Sequence, residues 1–377
     1  MIIEEEHTSD VQKIGLKRTL KVLSCKVSIM MIKNLGRYFY HLFSSTASSF
    51  CTLVILILLL HVSEYGGSTE RALAQSGKNY SFLMELDENS DIISQPEGID
   101  TDAEGNIYVN DIGDNQIKKF NKDGVLVSEW GSTGDEPGQF KHPHGNKIEI
   151  ADSGIDRISM QNESEESYIY ITDQNNYRIQ KFTTDGTFTT MWGEQGEGDQ
   201  QFLHIHGIDL DSDGNLYVSD RDQPSIQKFT TNGTFTKKWG AQGTLEGQFI
   251  QPWDVKVSPD NKVFVPDFGN DRIQIFTTDG NFIASWGTSG TELGQFNGPA
   301  GIAFDSAGNV YVTDSGNQRV QIFSNNGTYL SSFGENGEGN GQFSRPESIT
   351  VDDSSGRVYV SDTSNHNVQI FGSLIDD

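Results

Sequence analysis

A chain of 377 residues with 40 glycines, 22 phenylalanines and only 34% hydrophobic residues suits one large domain of many short strands and tight turns. The formal charge of −26 is concentrated after residue 74, where 19 Lys and Arg stand against 47 Asp and Glu, about −28. Such a field repels phosphate backbones and argues against nucleic acid as a partner.

The first 49 residues are basic, with Lys13, Lys17, Arg18, Lys21, Lys26, Lys33 and Arg37. The apolar run FCTLVILILLLHV follows at 50–62, and residues 63–78 hold EYGGSTERALAQ with small residues at Ala72 and Ala74. Basic region, short apolar core and small-residue cleavage site are the order of a secretory signal. The run of 13 residues is shorter than the roughly 20 of a membrane-spanning helix. Retained as an anchor, it would still leave the bulk of the chain outside by the positive-inside rule. The expectation is an extracytoplasmic protein, secreted or anchored, that touches a membrane only through residues 50–62. Met30 or Met31 are alternative starts. Cys25 and Cys51 both precede the cleavage site, so the exported part has no disulfide and depends on packing alone.

From about residue 79 one unit recurs. The segments IYVND, IYITD, LYVSD, VFVPD, VYVTD and VYVSD end at Asp111, Asp173, Asp220, Asp267, Asp314 and Asp362, spaced by 62, 47, 47, 47 and 48 residues. The longer second unit carries a polar insertion at 151–168, read as a loop. The clearest copy reads PAGIAFD, NVYVTD, RVQIF and GTYLSSFG, four alternating apolar runs bounded by Gly and Asn turns, which predicts antiparallel hairpins. Four-stranded units of this period form propeller blades. Through GQF-x-x-P-x-G, GN-[IVL]-[YF]-V-x-D and R-[IV]-Q-x-F, residues 79–377 resemble the NHL-repeat β-propellers. The resemblance implies an all-β, six-bladed propeller. The last unit stops after its third strand, so residues 80–86 are expected to supply the missing fourth strand of blade 6 and close the ring.

Two positions at the start of each blade's innermost strand are expected at the channel mouth on the top face. One reads Glu97, His144, His206, Trp253, Ala300 and Glu347 around the ring. Two residues earlier the series is Gln95, His142, His204, Gln251, Gly298 and Arg345. His142, His144, His204 and His206 therefore gather in one sector with two carboxylates nearby, a donor set that suits zinc. Pro143-His144-Gly145 and Ile205-His206-Gly207 also resemble the strand-start motifs of the peptidyl-α-hydroxyglycine α-amidating lyases, which implies a metal-dependent lyase; the third histidine of that family is absent here. The reading adopted is a scaffold whose top face binds a protein, peptide or glycan through Glu97, Trp253, Arg345 and Glu347, with the lyase as the alternative. An RNA-binding propeller of the tripartite-motif type fits neither the acidic charge nor the lack of RING or B-box cysteines.

DLDSDGNLYVSD (209–220) matches the opening of an EF-hand loop, but the aligned AFDSAGNVYVTD places these acids in a hairpin turn. Asp-x-x-Asn-x-Arg, as at Asp267, Asn270 and Arg272, is expected to brace top loops. Sequons at Asn79, Asn162, Asn232 and Asn326 map to the bottom face; tight-turn geometry alone accounts for Asn-Gly at Asn232 and Asn326.

Overall fold

The computed structural model describes residues 79–86, 92–149 and 167–374. The expectations for residues 1–78, and the sequon at Asn162, lie outside them. Six four-stranded antiparallel sheets follow one another along the chain. Blade 3 has the repeat's regular form, with strands Ile205–Leu210, Asn215–Asp220, Ser225–Thr230 and Phe235–Trp239 in spatial order. Blade 2 resumes at Tyr168, which opens its second strand Tyr168–Asp173 rather than closing the insertion. Blade 4 departs most: its first strand is only Lys256–Val257. There the Asp254 carboxylate accepts the Val255 N–H at 2.8 Å and that of Ile302 in blade 5 at 3.2 Å.

The ring closes as the unit count requires. Strand Asn79–Leu86 pairs antiparallel with Asn367–Leu374, completing the sheet of Pro346–Asp352 and Arg357–Asp362. Leu86 is buried, and the Tyr80 hydroxyl meets that of Tyr311 in blade 5 at 2.7 Å.

Apolar alternation places one hydrophobic cluster between each pair of neighbouring blades. Tyr217, Ile226 and Phe249, for example, pack against Val263, Val265 and Phe276. The Trp ending the fourth strand lies on the next blade's bottom turn, and only glycine fits beneath it. Gly233 sits at φ +85°, where a Cβ would stand 2.7 Å from the Trp192 ring, a conformation and a space that L side chains avoid.

Candidate functional site

Two devices built from the repeat hold the channel mouth. The repeat aspartate caps its own blade's approach loop: Asp220 accepts the Leu203 and His204 N–H groups, and Asp362 those of Ser344 and Arg345. The residue before that aspartate then ties the next blade. Asn110 donates to the His144 carbonyl, Thr172 to His206, Ser219 to Trp253, Thr313 to Glu347 and Ser361 to Glu97, at 2.7–3.1 Å. A register shift follows the first ladder pair of the innermost strands, as between Ile205 and Ile208, and such bulges re-aim side chains. Where glycine follows the ring residue it admits the neighbouring blade: a Cβ on Gly145 would lie 2.5 Å from the His206 carbonyl oxygen.

Glu97, His144, His206, Trp253 and Glu347 come together at this mouth, each less than a tenth exposed. The His144 and His206 ring centroids are 3.4 Å apart, and those of His206 and Trp253 are 4.4 Å apart. Trp253 reaches across the channel from blade 4 to blade 6, where its indole N–H donates to Glu347 Oε2 at 2.7 Å. The Phe268 ring stacks on Trp253 at 4.3 Å. Gly298, at φ +65°, makes room for that ring, since a Cβ there would meet it at 2.7 Å. Ala300 is buried without a polar group to offer. Below the mouth lies a cavity of about 20 Å³ lined by His144, His206, Trp253, Asp254 and Glu347, room for about one water.

The second ring forms the rim. Gln174 and Asp222 hold the two ring nitrogens of His204, the latter at 3.3 Å. Asn115 Oδ1 accepts the His142 backbone N–H at 2.7 Å, while the buried His142 Nδ1 has no hydrogen-bond partner. Arg345 Nε lies against Glu347 Oε1. Gln174, Arg221 and Phe268 were not among the expected site residues. They occupy the position after the repeat aspartate, a third ring readable in the sequence as Ile112, Gln174, Arg221, Phe268, Ser315 and Thr363.

Burial dominates the electrostatics here, because it disfavours charge on either kind of group. Burial, with the Arg221 and Arg345 guanidiniums, brings the His144 pKa down to about 3. Burial and the neighbouring His144 and His204 hold His206 well below the imidazole range. His204 falls to about 4 through burial and Arg221, and His142 is lowered by burial and His144. Burial raises Glu97 to about 7. Burial and the adjacent Glu97 raise Glu347 to about 8. His144 Nε2 stands 2.8 Å from Glu97 Oε2. With an uncharged imidazole at neutral pH the contact is not a salt bridge, and Glu97 Oε2 receives no well-directed hydrogen bond.

Zinc requires three or four convergent donors. Among the described residues no three His, Cys, Asp or Glu side chains are so placed. The nitrogens of His204 are engaged by Gln174 and Asp222, and His144 Nε2 faces Glu97. The residues present do not fit a zinc site.

The acidic motifs are structural in this fold. Asp211 caps its own turn, accepting the Asp213 and Asn215 N–H groups at 3.0 and 2.8 Å and the Tyr217 hydroxyl at 2.7 Å. Asp267 Oδ2 accepts from Asn270, Arg272 and Gln274 at 2.8–3.0 Å. Asn232 and Asn326 are exposed in third-to-fourth-strand turns, opposite the mouth, with Oδ1 accepting from Thr234 and Thr328. Asn79 begins the closing strand.

A family model of the NHL repeat matches residues 296–323 and 343–371. A family described as a 6-bladed beta-propeller matches residues 151–239. No curated protein matches the chain. Among solved structures, a structural-genomics protein of unknown function from Bacteroides thetaiotaomicron shares 15% identity and a TM-score of 0.58, over 78% of this chain and 76% of that one. A gluconolactonase from Xanthomonas campestris is 13% identical, with a TM-score of 0.55 over 79% of this chain and 96% of its own. A catalytically inactive virginiamycin B lyase from Staphylococcus aureus, solved with quinupristin, is 15% identical, with a TM-score of 0.51 over 79% and 90%. At such identities the likeness is one of fold, and these proteins' substrates do not transfer.

Proposed function

The chain belongs to the NHL-repeat six-bladed β-propellers, and from that membership we propose that it is an exported or membrane-tethered recognition scaffold whose top channel mouth binds a peptide segment of a protein partner. One observation carries this reading. The positions that build each blade, the repeat aspartate and the aromatic of GQF, barely change around the ring, whereas the mouth position between them reads Glu97, His144, His206, Trp253, Ala300 and Glu347. A site needed only for folding would be filled alike in each copy. This one instead buries four ionisable groups and a tryptophan, at a desolvation cost that packing alone does not require. The lyase reading is not carried forward, because no three metal-ligating side chains converge among the described residues.

Peptide-array binding by the full-length protein tests the proposal. A rim variant, His204→Ala with Arg221→Ala, should lose the signal, while a bottom-turn variant, Glu104→Ala, should keep it. Equal binding by both variants, or binding confined to a glycan array, would refute it. The export part rests on the order of the basic and apolar segments. N-terminal sequencing of protein from its host should find a start near Gln75, or the chain should fractionate with membranes; full-length soluble protein inside the cell would contradict both.

A further inference from the structure

Two imidazoles, an indole and two carboxyls line the cavity at the mouth. Glu347 Oε1, on a side chain 2% exposed, accepts no well-directed hydrogen bond. Glu97, 3% exposed, stands behind this wall, its Oε2 2.8 Å from Nε2 of the lining residue His144. The third carboxyl, Asp254, is buried beside them. The imidazoles of His144 and His206 are uncharged at neutral pH, so each accepts at one ring nitrogen and donates at the other. The indole N–H of Trp253, the donor pointing inward, is already spent on Glu347 Oε2. With its pKa raised to about 8, Glu347 holds a proton at neutral pH, and Glu97, at about 7, is about half protonated; an ammonium entering the site takes the place of a proton there and brings its own donors and charge.

Size narrows the class. A space of about 20 Å³ takes one water-sized group: an ammonium fits, and a planar guanidinium does not. The Phe268 ring, stacked on Trp253 at the rim, offers an apolar wall for a methylene stem. The acidic field of the domain draws cations toward every opening. The rim supplies a resident competitor: Arg345 Nε lies against Glu347 Oε1 without the direction of a hydrogen bond, and its side chain is 48% exposed, able to swing outward.

Building on the mouth as the ligand site, we infer that it takes a primary ammonium group of a peptide, a lysine side chain or a free amino terminus, with the nitrogen in the cavity beside Glu347 and the stem on Trp253 and Phe268. Isothermal titration of the full-length protein with Nα-acetyl-lysine N-methylamide and with alanyl-alanine amide tests this and separates the two sources. At least one amine should bind. The same probe acetylated on that amine should not. Glu347→Gln should weaken binding about tenfold or more, the loss expected for a charged hydrogen bond, and Arg345→Gln should strengthen it or leave it unchanged. If Glu347→Gln proves misfolded by circular dichroism, Phe268→Ala, a change at a partly buried rim residue, should weaken binding by loss of the stem wall. Failure of both amines to bind at millimolar concentration would overturn the inference. So would an affinity indifferent to Glu347 or, in a misfolded case, to Phe268. Binding of Nα-acetyl-glutamate that Arg345→Gln abolishes would overturn it while leaving the mouth as the ligand site. An amine that binds indifferently to every mouth substitution would overturn both.

Discussion

Deleting residues 75–88 removes the strand that closes the ring, and the structure sets the scale of the loss. That strand makes seven residue pairs with Asn367–Leu374, and each net hydrogen bond of such a ladder contributes roughly 0.5–1.5 kcal/mol. Leu86 is buried among Ile99, Val109, Val368 and Ile370, and loss of a buried leucine side chain costs about 2–5 kcal/mol. Phe82 and Met84 add partly buried contacts, with Phe82 edge-on to Phe371 at 6.2 Å. The total approaches roughly 10 kcal/mol, within the ~5–15 kcal/mol that holds a whole domain. It also leaves Asn367–Leu374 as an unpaired edge. The deletion variant should therefore lack a cooperative urea transition by circular dichroism, and should aggregate. Removing residues 375–377, beyond the end of the paired strand, should leave the midpoint within error of the parent. A cooperative transition of normal midpoint in the 75–88 deletion would refute closure by this strand.

The raised Glu347 pKa makes a signed prediction. Its protonated form contributes stability that is complete below about pH 4.5 and lost as pH rises through about 8, so Glu347→Gln should gain in melting temperature relative to the parent over that window; a constant difference would contradict it. His144 and His206 run the other way: held neutral in the fold, they contribute stability present above about pH 6.5 and lost as pH falls, so a His206→Gln variant should be less sensitive to acid than the parent. Zinc content measured after growth in zinc-supplemented medium should be well below one equivalent, and a full equivalent lost on replacing His144 and His206 by alanine would overturn the misfit. Asp267→Ala, which strips a buried partner from Arg272, should cost about 3–5 kcal/mol in denaturant, while exposed Asp213→Ala should cost little and calcium should not shift the melting temperature of either.

The sequence by itself determined the propeller. A 47-residue period, the repeat aspartates, alternating apolar runs and Asn-Gly turns are local signals, and each blade is built from contacts within one unit and with its neighbour. Closure was legible for the same reason, since a missing fourth strand at one end and a spare strand at the other can be counted without coordinates. The mouth residues were legible as ring positions, because equal offsets in the repeat point to equal places around an axis. What they do there was decided only in three dimensions. The hydrogen bond from Trp253 to Glu347 joins residues 94 apart from blades 4 and 6, and no spacing shows that an indole crosses the channel. The four histidines shared a sector in the sequence, yet side-chain direction gave His204 to Gln174 and Asp222 and His144 to Glu97, so proximity did not become a metal site. Gln174, Arg221 and Phe268 share an offset that the sequence shows, but the position after the repeat aspartate belongs to a loop, and only the turn of that loop over the mouth brings its side chains to the site. Periodicity fixes where the backbone goes; the rotamers that meet at the axis depend on all six blades at once.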